Sequence, residues 1–147
     1  MARAPRKFWR VEDSSSRACY TEGEGILAEA TDTAVSFGRQ GTALRAQLRR
    51  HLDWSNRRRT PFVSVYSDRR AAWREAERRV AAGKRHVVVY KIDVDCSCER
   101  VEYRHVQLLA ETLRLRIAYR AWNNSKYEWV FLHAVPDSAV VGVAELG

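Results

Sequence analysis

The apolar residues of this chain fall into short runs typical of strands and into longer stretches with the period of helices. Strands are predicted where β-branched and aromatic residues cluster between turn residues, at residues 8–11, 62–66, 86–93, 101–106, 127–135 and 139–144. Helices are predicted at residues 43–54, 69–82 and 107–116, the first two from apolar residues spaced three or four apart. This order, with strands and helices alternating at first and then mostly strands, predicts an α+β fold rather than regular βαβ units.

The helix predicted at residues 69–82 has recognisable signals at both ends. Asp68 suits the N-cap position, because its carboxylate can accept hydrogen bonds from the free N–H groups of the first turn. Gly83 suits the C-terminal cap, because glycine adopts the left-handed conformation without a Cβ clash. The side chains expected to face the core are Ala72, Trp73, Ala76 and Val80.

Length and composition indicate one domain covering residues 1–147, since 46% apolar content is enough for a single core. The sequence has no run of 18 uncharged apolar residues, so no membrane-spanning helix is expected. The basic residues at the start are not followed by an apolar segment, which argues against a secretory signal.

The cysteines indicate the redox compartment and argue against a metal. There are three of them, and an odd number favours reduced thiols and an intracellular, cytoplasmic location. Cys96 and Cys98 have only His105 nearby, which is not the ligand spacing of a structural zinc site. We therefore expect no metal.

The charge of the chain favours polyanionic partners. The formal net charge is +8 and the pI is near 9.9, a balance that attracts nucleotides, nucleic acids or acidic proteins. Three consecutive arginines at 57–59 suit contacts with phosphates, although such runs are commonly solvated loops. A basic nucleic-acid-binding domain is one interpretation, and an arginine-rich surface without a dedicated partner is the other.

Three widely separated segments each carry a polar or charged side chain in or beside an apolar strand. Arg10 lies in Phe-Trp-Arg-Val, Ser64 lies in Phe-Val-Ser-Val, and Glu128 precedes Trp-Val-Phe-Leu. Burying such groups is costly unless they meet one another or a ligand. We therefore expect these three side chains to form a site.

The order arginine, serine, glutamate resembles the Arg–Ser–Glu class of the ADP-ribosyltransferase superfamily over nearly the whole chain. The resemblance implies two small twisted β-sheets packed together with flanking helices, and NAD as the substrate, bound in the cleft between the sheets. It implies that Arg10 orients the NAD phosphates, that Ser64 positions the ribose and the acid, and that Glu128 stabilises the oxocarbenium ion as nicotinamide leaves. Val11 and Tyr66 complete the NAD-binding residues that the resemblance implies.

The sequence departs from the family pattern at three positions. Val65 and Tyr66 follow Ser64 where the family has Thr and Ser. Lys126 stands two residues before Glu128, where many members carry Glu or Gln. This lysine disfavours protein arginine as an acceptor, because it repels a guanidinium. Water, which would make the reaction NAD hydrolysis, or a phosphate-rich acceptor such as nucleic acid is favoured instead.

Residues 51–68 are also similar to uncharacterised fungal intracellular domains of ADP-ribosyltransferase-like fold, which share a His-Leu-x-Trp helix end before a Pro-Phe-x-Ser strand. The predicted function is a NAD-dependent mono-ADP-ribosyltransferase or NAD glycohydrolase. The alternatives are a catalytically inactive binding module of the same fold and the basic nucleic-acid-binding domain. A catalytic triad of His51 with Ser64 or Cys19 is disfavoured, because the sequence has no nucleophile elbow and no oriented acid.

Overall fold

The structure is a computed structural model and describes residues 4–31, 34–38, 41–52, 60–116 and 125–146. The strands, in chain order, are β1 (Lys7–Glu12), β2 (Cys19–Thr21), β3 (Gly25–Leu27), β4 (Phe62–Tyr66), β5 (Val88–Asp93), β6 (Tyr103–His105), β7 (Glu128–Leu132), β8 (Ala134–Val135) and β9 (Val140–Glu145). The helices are α1 (Thr42–Leu52), α2 (Arg69–Ala81) and α3 (Val106–Thr112). The end of the helix predicted at 43–54 and the arginine run at 57–59 lie outside the described residues.

Two antiparallel sheets organise these elements. The larger sheet has the strand order β6-β7-β4-β1-β5-β9, and the smaller one has the order β2-β3-β8. One face of the larger sheet packs against the smaller sheet, and the helices cover its other face. The α+β fold of two small sheets with flanking helices, expected from the resemblance, is confirmed.

The core between the sheets is built on the alternation of side chains along each strand. Phe8 is fully buried there, with its ring 5.3 Å from Phe131 and 5.2 Å from Tyr103 in edge-to-face geometry. Ile26 and Val135 of the smaller sheet pack into the same cluster. Truncating such a buried ring to alanine typically costs about 3–5 kcal/mol of stability, so this cluster is a main support of the two-sheet arrangement.

Helix α2 approaches the sheet through two alanines. Ala72 and Ala76 are fully buried against β1 and β5, as predicted, but Val80 is 40% exposed and Trp73 is only half-buried. The reason lies in the helical period of 3.6 residues. In the last turn this period carries Arg79 to the sheet side, where it bonds to the Val11 carbonyl, and it rotates Val80 toward solvent.

The ends of α2 follow their signals in part. Asp68 occupies the N-cap position with extended backbone, but its side chain makes no capping hydrogen bond. Ala82 is the C-cap residue, and Gly83 follows it at φ 82°. The N–H of Gly83 donates to the Val80 carbonyl. Gly83 therefore occupies the position that follows the C-cap residue, where a left-handed glycine commonly ends a helix.

The strand predicted at 127–135 divides between the two sheets, which corrects the prediction of one continuous strand. His133 lies at the break, with φ 68°. Its N–H donates to the Pro61 carbonyl over 2.6 Å, and its carbonyl accepts from the Ala28 N–H over 2.8 Å. Gly25 packs closely against the second half, since a Cβ there would collide with the Val135 carbonyl oxygen. One residue thus transfers the chain from β7 in the larger sheet to β8 in the smaller one.

Candidate active site

Arg10 lies where the larger sheet opens between β1 and β4. The register between these two strands consists of one pair, Trp9 with Tyr66. The Arg10 guanidinium lies beside this pair, between the two strands. Its Nη1 donates to the Ser64 carbonyl over 2.8 Å, and its Nη2 donates to the Ala18 carbonyl over 2.9 Å. Arg10 is only 9% exposed, so it connects the two sheets from the interior.

Glu12 is the charge partner of Arg10. Arg10 Nε lies 3.5 Å from Glu12 Oε1, and both side chains are about nine-tenths buried. Glu12 Oε2 also accepts from the Tyr20 N–H over 3.3 Å. Burial raises the pKa of Glu12, while the positive charge of Arg10 opposes that rise. The pair is structural as it stands, because removing one partner would leave the other charge buried and uncompensated.

Ser64 is the residue on which the site converges. Its carbonyl receives Arg10, and its hydroxyl donates to Glu128 Oε2 over 3.0 Å. Glu128 begins β7, the strand next to β4, with Tyr66 as its register partner. The three residues selected from the sequence are therefore brought together, and their roles toward NAD remain predictions.

His51 is the member of the site that sequence reasoning missed. Its Nε2 lies 2.6 Å from Ser64 Oγ, and its Nδ1 lies 2.8 Å from Thr60 Oγ1. Because the Ser64 hydroxyl donates to Glu128, Nε2 must carry the proton that Ser64 accepts. The Thr60 hydroxyl then donates to Nδ1. The result is a chain of hydrogen bonds in one direction, from Thr60 through His51 and Ser64 to the carboxylate.

The charge states agree with that chain. Burial, aided by the positive charge of Arg10, lowers the pKa of His51 to about 4, so the imidazole is neutral at pH 7. Sequence reasoning considered His51 only as the base of a hydrolytic triad. Its position at the last turn of α1, shortly before the Ser64 strand, was the available signal.

Glu128 occupies an environment that disfavours its charge. Burial raises the pKa of its carboxyl above the usual range, and the negative charge of Glu75 on α2 adds to the rise. The hydrogen bond from Ser64 and the positive charge of Arg10 act in the opposite direction. Such a carboxylate is poorly solvated, and it interacts strongly with any positive charge that develops beside it.

The two remaining residues of the implied NAD-binding set differ in position. Tyr66 is half-buried beside Glu128, and burial together with the charges of Glu128 and Glu75 raises the pKa of its phenol. Val11 is 2% exposed and packs on Ala72 in the α2 cluster. The Val11 side chain is therefore a core side chain, separate from the hydrogen-bond chain through Ser64.

Lys126 stands exposed at the entrance to β7. Its carbonyl accepts from His105 Nε2 over 2.8 Å, and its ammonium lies 5.4 Å from the centre of the Tyr127 ring. The Ser67 N–H donates to the Tyr127 carbonyl over 2.8 Å. This bond ties the Lys126 segment to the residues that lead into α2.

The described part of the chain contains no group of three or more His, Cys, Asp or Glu that could hold a metal ion. Its three cysteines, Cys19, Cys96 and Cys98, are free thiols at exposed positions. Among the same residues no helix is both long enough and apolar enough to cross a membrane.

Comparisons with known proteins place the fold. Residues 3–147 match the model of a family described as "Domain of unknown function (DUF7587)". No curated protein matches the chain. Among solved structures, EcPltA is similar over 99% of this chain and 78% of its own, with 12% sequence identity and a TM-score of 0.58. This likeness shows the ADP-ribosyltransferase-like fold, which agrees with the two-sheet architecture.

Proposed function

The chain belongs to the DUF7587 family of domains of unknown function, and we propose that it cleaves the nicotinamide–ribose bond of NAD, as a mono-ADP-ribosyltransferase or a NAD glycohydrolase. The observation that carries the proposal is the Ser64 hydroxyl held between His51 and Glu128, with Arg10 on the carbonyl of the same residue. The ADP-ribosyltransferase-like fold supports NAD as the substrate.

Glu128 would act on the ribose. Its Oε2 accepts from Ser64, which leaves Oε1 to accept from the ribose 2′-hydroxyl. Nicotinamide then departs as a neutral molecule with the electron pair of the C1′–N bond, and positive charge develops on the ribose ring. A fixed carboxylate stabilises that charge, as in glycoside cleavage. An oxygen of water or of another acceptor forms the new bond to C1′ and loses its proton to solvent.

His51 and Thr60 would keep the carboxylate in place. A serine hydroxyl rotates freely unless its acceptor lone pairs and its proton are both engaged. His51 engages a lone pair of Ser64, and Glu128 engages the proton. The carboxylate is therefore oriented before the substrate arrives, and little reorganisation accompanies the reaction.

Arg10 would serve the phosphates of NAD while it also supports the fold. A guanidinium has five N–H donors, and Arg10 uses one each for Ser64, Ala18 and Glu12. The contact with Glu12 is the longest, at 3.5 Å. An incoming phosphate would take the two remaining donors, because a planar guanidinium binds phosphate with two parallel hydrogen bonds, and Glu12 would keep its charge partner.

The test is nicotinamide release from NAD by the purified protein. Glu128→Gln should lower the rate at least about a hundredfold, because a lost transition-state interaction of this kind costs several kcal/mol. Glu24→Gln, at an exposed turn position, is the matched control and should retain the wild-type rate. A Glu128→Gln protein that is as active as wild type would refute the catalytic role.

A second candidate is a binding module of the same fold without catalysis. Val65, where the family has Thr, is fully buried and fills the core, and Lys126 replaces the usual carboxylate or amide. Calorimetry with NAD separates the two candidates. Binding of NAD without any release of nicotinamide would favour the module, and release would favour the enzyme.

A further inference from the structure

Positive charge is concentrated on one helix of this chain. The segment from Arg69 to Arg85 contains seven Lys and Arg against two Glu, a formal +5 out of the net +8 of the whole sequence. Most of these basic residues lie on α2, which packs on the larger sheet through Ala72 and Ala76. The opposite side of the helix is therefore a basic face turned to solvent.

Only part of this charge is neutralised within the protein. Glu75 pairs with Arg78 at 2.8 Å and with Arg79 at 2.7 Å. In the described part of the chain no ion pair involves Arg70 or Arg74, and both side chains are exposed. Glu77 is the acidic exception on this face. The free cations thus lie toward the start of the helix.

The arrangement is unfavourable for the helix itself. Arg70, Arg74 and Arg78 follow one another at intervals of four residues, and like charges at that spacing repel. The first turn holds no acidic residue, so Arg69 and Arg70 also oppose the helix dipole. Charge pairing within the helix and the helix dipole do not account for Arg70 and Arg74, whereas a polyanion lying along them would relieve both conflicts.

The basic face borders the candidate active site. The bond from the Ser67 N–H to the Tyr127 carbonyl holds the start of α2 beside the segment of Lys126. From the same helix, Glu75 acts electrostatically on Glu128. The start of α2 and Lys126 are distant in sequence, but they therefore lie beside each other where β7 begins with Glu128.

We propose that the basic face, formed by Arg69, Arg70, Arg74 and Lys126, binds the sugar-phosphate backbone of a single-stranded nucleic acid and presents it to Glu128 as the acceptor of ADP-ribose. In that step a hydroxyl or phosphate oxygen of the nucleic acid forms the new bond to C1′ of the ribose, nicotinamide leaves with the electron pair of the C1′–N bond, and any proton on the attacking oxygen passes to solvent. The second half of this proposal rests on the proposed function. Successive arginines four residues apart are separated by roughly 6 Å along the helix, and each can bind a phosphate with charge-assisted hydrogen bonds. Trp73, half-buried with the Arg69 guanidinium 5.8 Å above its ring, adds an aromatic surface of the kind on which bases stack.

Fluorescence anisotropy with labelled 15-nucleotide RNA and DNA, without NAD and over a series of KCl concentrations, tests the surface. Arg70→Glu/Arg74→Glu should weaken binding at least about tenfold and make the salt dependence shallower, because two phosphate contacts are lost. Arg49→Glu/Arg100→Glu changes the net charge equally at exposed positions on α1 and before β6, and should change affinity less than about threefold. The RNA and DNA arms show which backbone is preferred.

Misfolding is excluded by thermal unfolding of the same proteins. Arg70→Glu/Arg74→Glu leaves positions 70 and 74 a like-charge pair, but it turns the repulsion between positions 74 and 78 into an attraction and places an acidic residue in the first turn. Its unfolding temperature should therefore equal or exceed that of wild type. Equal losses of affinity in the two charge-reversed proteins would overturn the inference, since net charge alone would then explain binding. A wild-type protein that binds neither oligonucleotide, or that prefers polyglutamate or anionic vesicles, would overturn it as well.

Nicotinamide release by the wild-type protein, measured without oligonucleotide, distinguishes the two proposals. Nicotinamide release without oligonucleotide binding would refute the nucleic-acid surface and would support the proposed function. Oligonucleotide binding that Arg70→Glu/Arg74→Glu weakens, without nicotinamide release, would support the nucleic-acid surface. It would refute both the proposed function and the role of the nucleic acid as acceptor. Release and site-dependent binding together, with label from adenylate-labelled NAD on the oligonucleotide, support the full statement.

Discussion

Replacing His51 tests the hydrogen-bond chain that ends on Glu128. His51→Ala removes the two contacts of 2.6 and 2.8 Å to Ser64 and Thr60. A typical hydrogen bond contributes about 0.5–1.5 kcal/mol, and a buried group left without its partner costs about 1–3 kcal/mol. The ring also packs edge-on against Phe62, with 5.5 Å between centroids. We therefore expect a loss of stability of roughly 2–4 kcal/mol.

The effect on the reaction should be separable from the effect on stability. Without His51 the Ser64 hydroxyl can rotate away from Glu128, so the carboxylate is less well oriented. A loss of about 1.4 kcal/mol in transition-state stabilisation corresponds to a tenfold lower kcat. KM for NAD should change little, because His51 reaches the substrate only through Ser64. His51→Gln keeps an amide N–H that can donate to Ser64, and it should restore most of the rate.

Urea unfolding and steady-state nicotinamide release, measured on the wild type, His51→Ala and His51→Gln, are the assays. Thr60→Val serves as the milder variant, since it removes only the hydroxyl that donates to Nδ1. A folded His51→Ala protein with unchanged kcat would refute the view that this chain orients the carboxylate.

The pH dependence of stability gives an independent readout of the same residue. The pKa of His51 is about 4 in the folded protein against an ordinary value of 6.5. Between these values the unfolded chain binds a proton that the folded chain does not, so the contribution of His51 to stability is lost as pH falls from about 6.5 toward 4. The size of this contribution is on the order of 3 kcal/mol. In His51→Gln the decline with acid should be smaller by about this amount, and identical curves would contradict an imidazole that stays neutral in the folded protein.

Three further predictions concern the charges of the site. The rate of nicotinamide release should fall as pH decreases through an apparent pKa above 4.5, because burial raises the pKa of Glu128 and the carboxyl must be ionised to act. A pH profile whose rate falls only at or below pH 4.5 would contradict this. Glu12→Ala should cost roughly 3–5 kcal/mol in urea unfolding, because Arg10 loses its buried charge partner, whereas the exposed control Glu24→Ala should cost less than about 0.5 kcal/mol. With labelled NAD, polyarginine should be a poor acceptor because Lys126 repels its guanidinium groups, and Lys126→Glu should increase the labelling of polyarginine. Efficient labelling of polyarginine by the wild type would refute this role of Lys126.

The elements and the chemistry-bearing side chains could be read from the sequence because both are local properties. The period of apolar residues identified α2 and the strand of Ser64, and the signals at Asp68 and Gly83 located the helix ends to within a residue. Polar side chains placed in or beside apolar strands drew attention to Arg10, Ser64 and Glu128, because burying them is costly unless they find partners, and the order of the three residues carried the resemblance.

The same local reasoning failed where packing decides. Val80 has the spacing of a core residue, but Arg79 takes the sheet side of the last turn of α2 because it bonds there to Asp13 at 3.0 Å and to the Val11 carbonyl. The residues around His133 are all strand-forming, but the strand breaks at His133. Its backbone hydrogen bonds go to Pro61 and Ala28, which come from distant parts of the chain.

The sequence by itself determined the α+β class, the order of most elements and the three residues of the resembled site. Tertiary structure alone decided that β7 and β8 enter different sheets, that His51 reaches Ser64, and that Arg10 is held by two carbonyls and Glu12. The physical reason is that a hydrogen bond depends on distances of about 3 Å between atoms. Residue types and local periods constrain such distances only within one helix or strand, whereas this site joins different elements: Arg10 lies 54 positions from Ser64, and Ser64 lies 64 positions from Glu128.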